Sequence, residues 1–139
     1  MKKDSPGQWH VHAELPVSFT IKSSTGLFDL NNKDLLEYGT SGAGSRRLIV
    51  IDQRVSELYL HQIVGYFDHH EIEYHVVIID AVETKKDLGT LTHLLEEIEQ
   101  FGLLRRSEPI IAIGGGVLLD IVGMAAGLYR RGVPYVRVP

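Results

Sequence analysis

Residues 109–123 of this 139-residue chain read Pro-Ile-Ile-Ala-Ile-Gly-Gly-Gly-Val-Leu-Leu-Asp-Ile-Val-Gly, and this stretch decides the fold. The apolar run at 110–113 predicts a strand that is buried on both faces of a sheet. Three glycines follow, and because they lack Cβ atoms the chain can turn there and a ligand can approach the main chain. A helix predicted over 117–129 begins directly after them. Its unpaired N–H groups and positive dipole end favour an anion such as a phosphate.

The flanking residues repeat the same order of strand and helix. Apolar runs at 48–51, 74–79 and 135–138 predict three further strands. Two more helices are predicted between them from apolar residues at helical spacing: Val55, Leu58, Tyr59, Ile63, Tyr66 and Phe67, then Leu88, Leu91, Leu94, Leu95, Ile98 and Phe101. Such alternation predicts an α/β fold, a Rossmann-like parallel sheet with flanking helices.

The first 45 residues lack this alternation. Residues 1–16 predict a loosely ordered arm, and residues 17–22 alternate apolar and polar as a half-exposed edge strand does. The segment Ser-Gly-Ala-Gly-Ser at 41–45 is typical of a loop. We therefore predict an amino-terminal arm, edge strand and loop over 1–45 and an α/β domain over 46–139.

Composition restricts the partners of the chain. There are 18 acidic and 14 basic residues, which give a formal charge of -4, and no run of lysines or arginines. We therefore expect no binding to nucleic acid or to an anionic membrane. Cysteine is absent, so no disulfide or thiolate metal site is expected. No apolar segment has the length of a signal or membrane span, and we expect a cytoplasmic protein.

Polar side chains follow three of the predicted strands, at the strand ends where ligands bind in such sheets. Asp52 follows the strand at 48–51, where a carboxylate could accept hydrogen bonds from ribose hydroxyls. Glu83 and Lys86 follow the next strand, three residues apart, and could point at one ligand. The three glycines and Asp120 follow the strand at 110–113. Together these groups offer what a dinucleotide needs.

Each of these features also has a purely structural interpretation. Asp52 could cap the next helix, and Glu83 with Lys86 could be a solvated surface pair. The three glycines could simply form a tight turn between the predicted strand at 110–113 and the helix that follows it. The sequence also departs from the common dinucleotide fingerprint, because Leu119 stands where that pattern has its third glycine.

Three other motifs have a functional and a structural interpretation. Asp-His-His at 68–70 is similar to a metal-dependent phosphoesterase signature, but a polar helix end explains it as well. His10 and His12 could bind a metal on an extended arm, which supplies no third ligand nearby. The basic pair before Gly132 could simply end the third helix.

Residues 108–139 resemble the amino-terminal domain of the sugar phosphate cyclases, the superfamily of 3-dehydroquinate synthase. The resemblance is carried by Gly-Gly-Gly-Val-Leu-Leu-Asp-Ile-Val-Gly at 114–123 and by Tyr-Arg-Arg-Gly-Val-Pro-Tyr-Val-Arg-Val-Pro at 129–139. The lead-in at 101–109, Phe-Gly-Leu-Leu-Arg-Arg-Ser-Glu-Pro, resembles the 2-epi-5-epi-valiolone synthase branch more than dehydroquinate synthase. The match covers 46–139 and extends loosely upstream.

The resemblance implies an NAD site in this chain. Asp52 would hold the adenosine ribose, and Glu83 and Lys86 would lie along the cofactor. The glycines would present their backbone to the pyrophosphate, and Asp120 would lie near the nicotinamide and the substrate as the catalytic residue. The implied cofactor-binding residues are Asp52, Glu83, Lys86, Gly114, Gly115, Gly116, Val117 and Asp120.

The resemblance also implies a sugar phosphate substrate. Arg131 matches the family arginine that grips the substrate phosphate, in dehydroquinate synthase across a dimer interface. The implied reaction converts sedoheptulose 7-phosphate to 2-epi-5-epi-valiolone, with transient oxidation by NAD and elimination of phosphate. A second copy in a homodimer, or a complementary carboxyl-terminal half, would be the protein partner.

Some of the family's catalytic groups have no counterpart in this chain. The family metal, usually zinc, is held by a glutamate and two histidines of a carboxyl-terminal domain, and none of the seven histidines here matches them. The resemblance therefore implies the NAD-binding half of a cyclase, inactive alone. Two alternatives remain: a 3-dehydroquinate synthase or other superfamily member, and a non-catalytic nucleotide-binding module.

Overall fold

The computed structural model of the protein describes residues 2–5, 7–36 and 46–139. Two short strands come first, β1 (Lys2–Ser5) and β2 (Gln8–His10). The α/β elements follow in the order β3 (Arg46–Asp52), α1 (Gln53–His69), β4 (Glu73–Ile79), α2 (Leu88–Phe101), β5 (Ile110–Ile113), α3 (Gly116–Leu128) and β6 (Tyr135–Val138). Short 3-10 turns span Glu83–Lys85 and Tyr129–Arg131.

Four strands form one parallel sheet in the order β4-β3-β5-β6, which confirms the predicted α/β fold. From β3 the chain runs through α1 to β4, which pairs on one side of β3. It then crosses through α2 to β5, which pairs on the other side of β3. The strand order therefore reverses between β3 and β5. In open α/β sheets this switch point, at the carboxyl ends of the two strands, is where ligands bind.

The core has two halves, one on each face of the sheet. On one face Leu48 and Val50 of β3 pack with α2 and α3, and on the other Ile49 and Ile51 pack with α1. Because successive side chains of a strand alternate between faces, a strand covered on both sides must be apolar throughout. This requirement explains the unbroken apolar runs of β3 and β5.

The predicted apolar faces of the helices are partly wrong. Leu58 and Tyr59 of α1 are 75% and 50% exposed, and Leu88 at the start of α2 is 77% exposed. A small polar residue occupies the buried stripe of α1 instead, since Ser56 is buried and its hydroxyl donates to the carbonyl of Gln53 at 2.7 Å. The intrahelical bond satisfies this hydroxyl, so burial leaves no unpaired polar group.

The amino-terminal region differs from the prediction. The expected loose arm contains an antiparallel hairpin, β1 with β2, and Gly7 takes a positive φ in its turn. Residues 17–22 form no strand, and alternate side chains such as Phe19 and Ile21 are more than 80% exposed. Alternation alone does not make a strand, because its backbone groups need a neighbouring strand to pair with. The predicted loop at 41–45 lies outside the described residues.

Residues 27–36 pack on the α1 side of the core. Leu35 is 1% exposed, and the hydroxyl of Tyr66 on α1 donates to the carbonyl of Asn32 at 2.9 Å. Phe28 meets the ring of Tyr66 edge to face. This segment therefore covers α1 and shields it from solvent.

An ion pair with a buried carboxylate and a partly exposed guanidinium joins the start of β3 to the loop before β5. Glu108 is 1% exposed and accepts two bonds of 2.8 Å from Arg46, through Nε and Nη2. It also accepts a bond from the backbone N–H of Leu104 at 2.8 Å. The guanidinium lies over the ring of Phe101. The bidentate geometry and the satisfied carboxylate make this pair a structural link at the amino-terminal edge of the sheet.

Candidate functional site

Among the described residues, three α-helices begin at the carboxyl ends of the strands, and one of these helices lacks a side-chain cap. Asp52 caps α1, where its Oδ1 accepts from the backbone N–H of Arg54 at 2.9 Å. Asp87 caps α2 by accepting from the N–H of Thr90 at 2.8 Å. The cap of α3 is Gly115, which has no side chain to offer. The first N–H groups of α3 are therefore free to bind an anion.

Gly114 places the start of α3 against the end of β3. Its N–H donates to the carbonyl of Val138 on β6 at 3.0 Å. A Cβ at this position would lie 2.9 Å from the Cβ of Asp52 and 2.8 Å from Cδ2 of Leu118, and the φ of 155° also disfavours a side chain. Glycine is therefore required here by close packing between β3 and β5.

Gly115 and Gly116 have no such requirement. A Cβ at either position would meet no atom outside the turn within 4 Å, and neither has a positive φ. Both residues are exposed. The fold therefore does not explain why glycine occupies them, whereas a ligand in contact with the backbone would.

Asp52 lies beside this turn and is half-buried. Asp52 caps α1, as its structural interpretation in the sequence predicts: its Oδ1 accepts hydrogen bonds from the backbone N–H groups of Arg54 and Val55 at 2.9 and 3.4 Å. No hydrogen bond to its Oδ2 occurs within the described residues. The capping role therefore leaves one carboxylate oxygen at the switch point for a ligand hydroxyl.

Lys86 and Asp120 form an ion pair across this edge of the sheet. The Nζ of Lys86, in the loop after β4, lies 2.9 Å from Oδ2 of Asp120, on the second turn of α3. The hydrogen bond from Lys86 holds the pKa of the Asp120 carboxyl below its usual value, and the same bond raises the pKa of Lys86. Both side chains are exposed, so the pair adds little stability and is open to a ligand.

Glu83 lies in the same loop, in the 3-10 turn that precedes Lys86, and is exposed. Its charge contributes to the raised pKa of Lys86, after the hydrogen bond and the charge of Asp120. The structure thus brings together eight of the nine sequence-predicted site residues, all of which lie at the carboxyl edge of the sheet: Asp52, Glu83, Lys86, Gly114, Gly115, Gly116, Val117 and Asp120.

Arg131 lies at the opposite end of the sheet, where the strands begin. It follows the last turn of α3, and a 13-residue helix is about 20 Å long. Arg130, Arg131 and Gly132 take positive φ values of 45°, 67° and 104° in succession, which is strained for the two arginines. Arg105 stabilises this turn by donating from Nε to the carbonyl of Gly132 at 3.2 Å. Within one chain, Arg131 therefore cannot share a ligand with the glycine turn.

The other motifs are distant from this site. Residues 68–70 stand at the end of α1, at the edge of the sheet opposite to the glycine turn. His10 and His12 are exposed near the hairpin. In the ranges that the structure describes, no three His, Asp or Glu side chains are grouped so as to hold a metal ion. No helix of these ranges is long and apolar enough to cross a membrane.

One charged residue near the site was not singled out from the sequence. Arg137 lies on β6, paired in register with Ala112 of β5, and is exposed. The alternation of β6 could have revealed it, because Val136 and Val138 are apolar and the arginine between them must face the other side of the sheet.

Comparisons with known proteins agree with this architecture. The family model described as 3-dehydroquinate synthase N-terminal matches residues 76–139. A 2-epi-5-epi-valiolone synthase from Streptomyces albus is 44% identical over 138 residues, which are 99% of this chain and 34% of that enzyme.

Two solved structures are also similar. ValA, the 2-epi-5-epi-valiolone synthase from Streptomyces hygroscopicus with NAD+ and Zn2+ bound, matches with a TM-score of 0.84 at 43% identity, over 94% of this chain and 35% of its own. A 2-deoxy-scyllo-inosose synthase complexed with carbaglucose-6-phosphate, NAD+ and Co2+ matches with a TM-score of 0.64 at 27% identity, over 77% and 29%.

The fold, the glycine turn and these matches define an α/β domain of the 3-dehydroquinate synthase type. Residues 76–139 belong to the amino-terminal family of 3-dehydroquinate synthase, and the chain as a whole corresponds to the amino-terminal part of the relatives that it matches. It spans 34% of the Streptomyces albus relative and 35% of ValA. Both of these relatives are 2-epi-5-epi-valiolone synthases.

Proposed function

We propose that this chain is the NAD-binding part of a sugar phosphate cyclase. The observation that carries the proposal is the uncapped start of α3, where Gly115 and Gly116 border a space that no atom of the described residues fills. A pyrophosphate placed there accepts from free N–H groups and lies at the positive end of the helix. ValA and 2-deoxy-scyllo-inosose synthase, which share this fold, bind NAD+.

The surrounding residues suit the rest of the dinucleotide. The second oxygen of Asp52 accepts a hydrogen bond from the adenosine ribose while the first continues to cap α1. Val117 adds a free N–H next to the glycines. Lys86 and Glu83 border the cofactor on the β4 side, and the bond from Lys86 fixes the carboxylate of Asp120 near the nicotinamide and the substrate.

The complete protein is proposed to act on a sugar phosphate, converting sedoheptulose 7-phosphate to 2-epi-5-epi-valiolone with loss of phosphate. The 44% identity to the Streptomyces albus synthase supports this choice. Bound NAD supplies the transient oxidation of a substrate hydroxyl. The hydrogen bond from Lys86 keeps Asp120 ionised, and its carboxylate is the proton acceptor that this chain offers near the reacting groups.

Arg131 is proposed to bind the substrate phosphate of a neighbouring copy. Its distance from the glycine turn rules out the site of its own chain and favours a homodimer in which the two edges meet. A guanidinium suits the task because its fork matches two phosphate oxygens. The strained backbone at Arg130 and Arg131 is what a turn that presents side chains for function often shows.

The metal of the complete enzyme is not assigned to residues of this chain. The described residues contain no fitting group of ligands, and the metal of the complete enzyme would be bound elsewhere in the protein. We accordingly propose that the 139-residue chain binds NAD without turning over substrate, and that the remaining part of a cyclase completes the site.

Calorimetric titration with NAD+ tests the cofactor proposal. The wild-type chain should bind, and Gly115→Val should abolish binding because its side chain occupies the space for the pyrophosphate. Gly127→Val is the matched control, since Gly127 is exposed on the same helix and a Cβ there also meets nothing within 4 Å. Equal NAD+ affinity in both variants would contradict the proposal.

A chimera tests the catalytic role. The part of the Streptomyces albus synthase that matches this chain is replaced by residues 1–139, and phosphate release from sedoheptulose 7-phosphate is measured with NAD+ and Zn2+. The chimera should release phosphate and the 139-residue chain should not. Release by the chain alone, or a folded chimera that binds NAD+ without release, would contradict this role. Turnover of the dehydroquinate synthase substrate instead would favour the other branch.

A further inference from the structure

Arg137, on the strand that pairs with β5, is a positive charge that the proposed site does not yet use. Its neighbours Val136 and Val138 pack in the core on the α1 side, whereas Tyr135 packs on the α2 and α3 side. Side chains of a strand alternate, so Arg137 projects on the α3 side. It pairs with Ala112, two residues before Gly114, and is therefore beside the start of α3.

The guanidinium of Arg137 has no hydrogen bond or ion pair with any residue of the described ranges, and it is exposed. This distinguishes it from Arg46, which pairs with Glu108, and from Arg130, which pairs with Glu99. The carboxylate of Asp120 on α3 is already paired with Lys86 at 2.9 Å. Arg137 also lowers the pKa of Asp120, although less than Lys86 does. The guanidinium of Arg137 is therefore an uncommitted positive charge on the α3 side of the sheet.

We propose that Arg137 binds the pyrophosphate of the dinucleotide from the β6 side of the glycine turn, a role that rests on the proposed function. The free N–H groups of α3 contact the phosphates from one side, and the guanidinium donates to their oxygens from the other. A planar fork with several donors matches phosphate oxygens bidentately, which a lysine does not. The residue thus determines affinity for the anionic part of the cofactor.

Titrations of the 139-residue chain with NAD+, inorganic pyrophosphate and adenosine test this role. Arg137→Gln should lower the affinity for NAD+ and for pyrophosphate by about tenfold or more, which is the usual effect of losing a hydrogen bond to a charged group. Adenosine, which lacks phosphate, should bind as before. Arg137→Lys should recover part of the affinity. Arg106→Gln is the matched control, an exposed arginine in the loop at the other edge of the sheet, and it should change none of the three affinities.

The outcomes separate this inference from the proposed function. If NAD+ binds to the wild type and Arg137→Gln binds it equally well with an unchanged urea midpoint, the role of Arg137 is wrong and the NAD site stands. If pyrophosphate binding depends on Arg137 but NAD+ does not bind, the anion contact stands and the NAD proposal fails. If neither ligand binds to the wild type, both are wrong.

Discussion

Alanine substitutions at Gly114 and Gly116 distinguish a glycine that packing requires from a glycine that ligand binding requires. Gly114→Ala and Gly116→Ala add the same methyl group to the same turn, two residues apart. The methyl at 114 would lie 2.9 Å from the Cβ of Asp52, whereas the methyl at 116 would meet nothing within 4 Å. We expect opposite effects on stability and a loss of NAD+ binding in both variants.

The magnitudes follow from these distances. Carbon atoms pack at about 3.5–4.0 Å, so the methyl at 114 overlaps its neighbours by more than half an ångström. The side chain of Leu118 can move, but Asp52 is fixed by its bonds to α1. Overpacking together with the unfavourable φ should lower the free energy of unfolding by about 2–4 kcal/mol. Gly116→Ala should instead raise it by about 0.4–1 kcal/mol, because the unfolded chain loses freedom.

Urea unfolding and calorimetry with NAD+ check both halves of this prediction. Gly116→Ala should bind NAD+ at least about tenfold more weakly despite its higher stability, because the methyl occupies the space next to the pyrophosphate. Gly127→Ala, in open space on the same helix, should gain stability and keep its affinity. Wild-type affinity in Gly116→Ala would refute the location of the pyrophosphate, and wild-type stability in Gly114→Ala would refute the close approach.

Three further predictions concern charged residues. Glu108→Ala should lower the free energy of unfolding by about 1.5–3 kcal/mol, as loss of hydrogen bonds between charged groups does, and an unchanged urea midpoint would contradict this. The pKa of the Asp120 carboxyl is held low, so its ion pair with Lys86 is present at neutral pH and is lost as the pH falls through that pKa. In an NMR titration of the carboxyl groups, Lys86→Met should raise the pKa of Asp120, whereas Lys85→Met should leave it unchanged. Arg131→Gly should have a free energy of unfolding about 1 kcal/mol higher than that of Arg131→Ala, because glycine relieves the strain at this positive φ, and equal unfolding free energies would argue against strain.

The sequence was sufficient for the α/β fold because each element there has a strong local pattern. The run at 110–113 is long enough for a buried strand and is directly followed by a glycine turn, and the strand appears at Ile110–Ile113. The positions after the strands also came together as predicted, since the carboxyl ends of parallel strands share one edge.

What the sequence could not provide depends on tertiary contacts. The alternation of residues 17–22 has no neighbouring strand to pair with in the described structure, so no strand forms there. The position of Asp52 in the sequence is compatible with a helix cap and with a ribose contact, and in the structure the cap uses one of its two carboxylate oxygens. In the sequence Glu108 resembles an ordinary acidic loop residue, because its partner Arg46 is 62 positions away.

Arg131 shows a different limit. Its sequence motif joins it to the same stretch as the glycines, but α3 carries it to the far edge of the sheet. A motif therefore predicts that two residues belong to one family pattern, and the helix between them decides whether they can share a ligand within one chain.

Backbone NMR of the 139-residue chain during titration with NAD+ tests the central claim most directly. The largest saturable shifts should occur at the amides of Gly115, Gly116 and Val117, because these N–H groups are the free donors at the start of α3. An absence of shifts at millimolar NAD+, or shifts that cluster around Arg131 at the opposite edge, would contradict the claim that this chain binds the cofactor on its glycine turn.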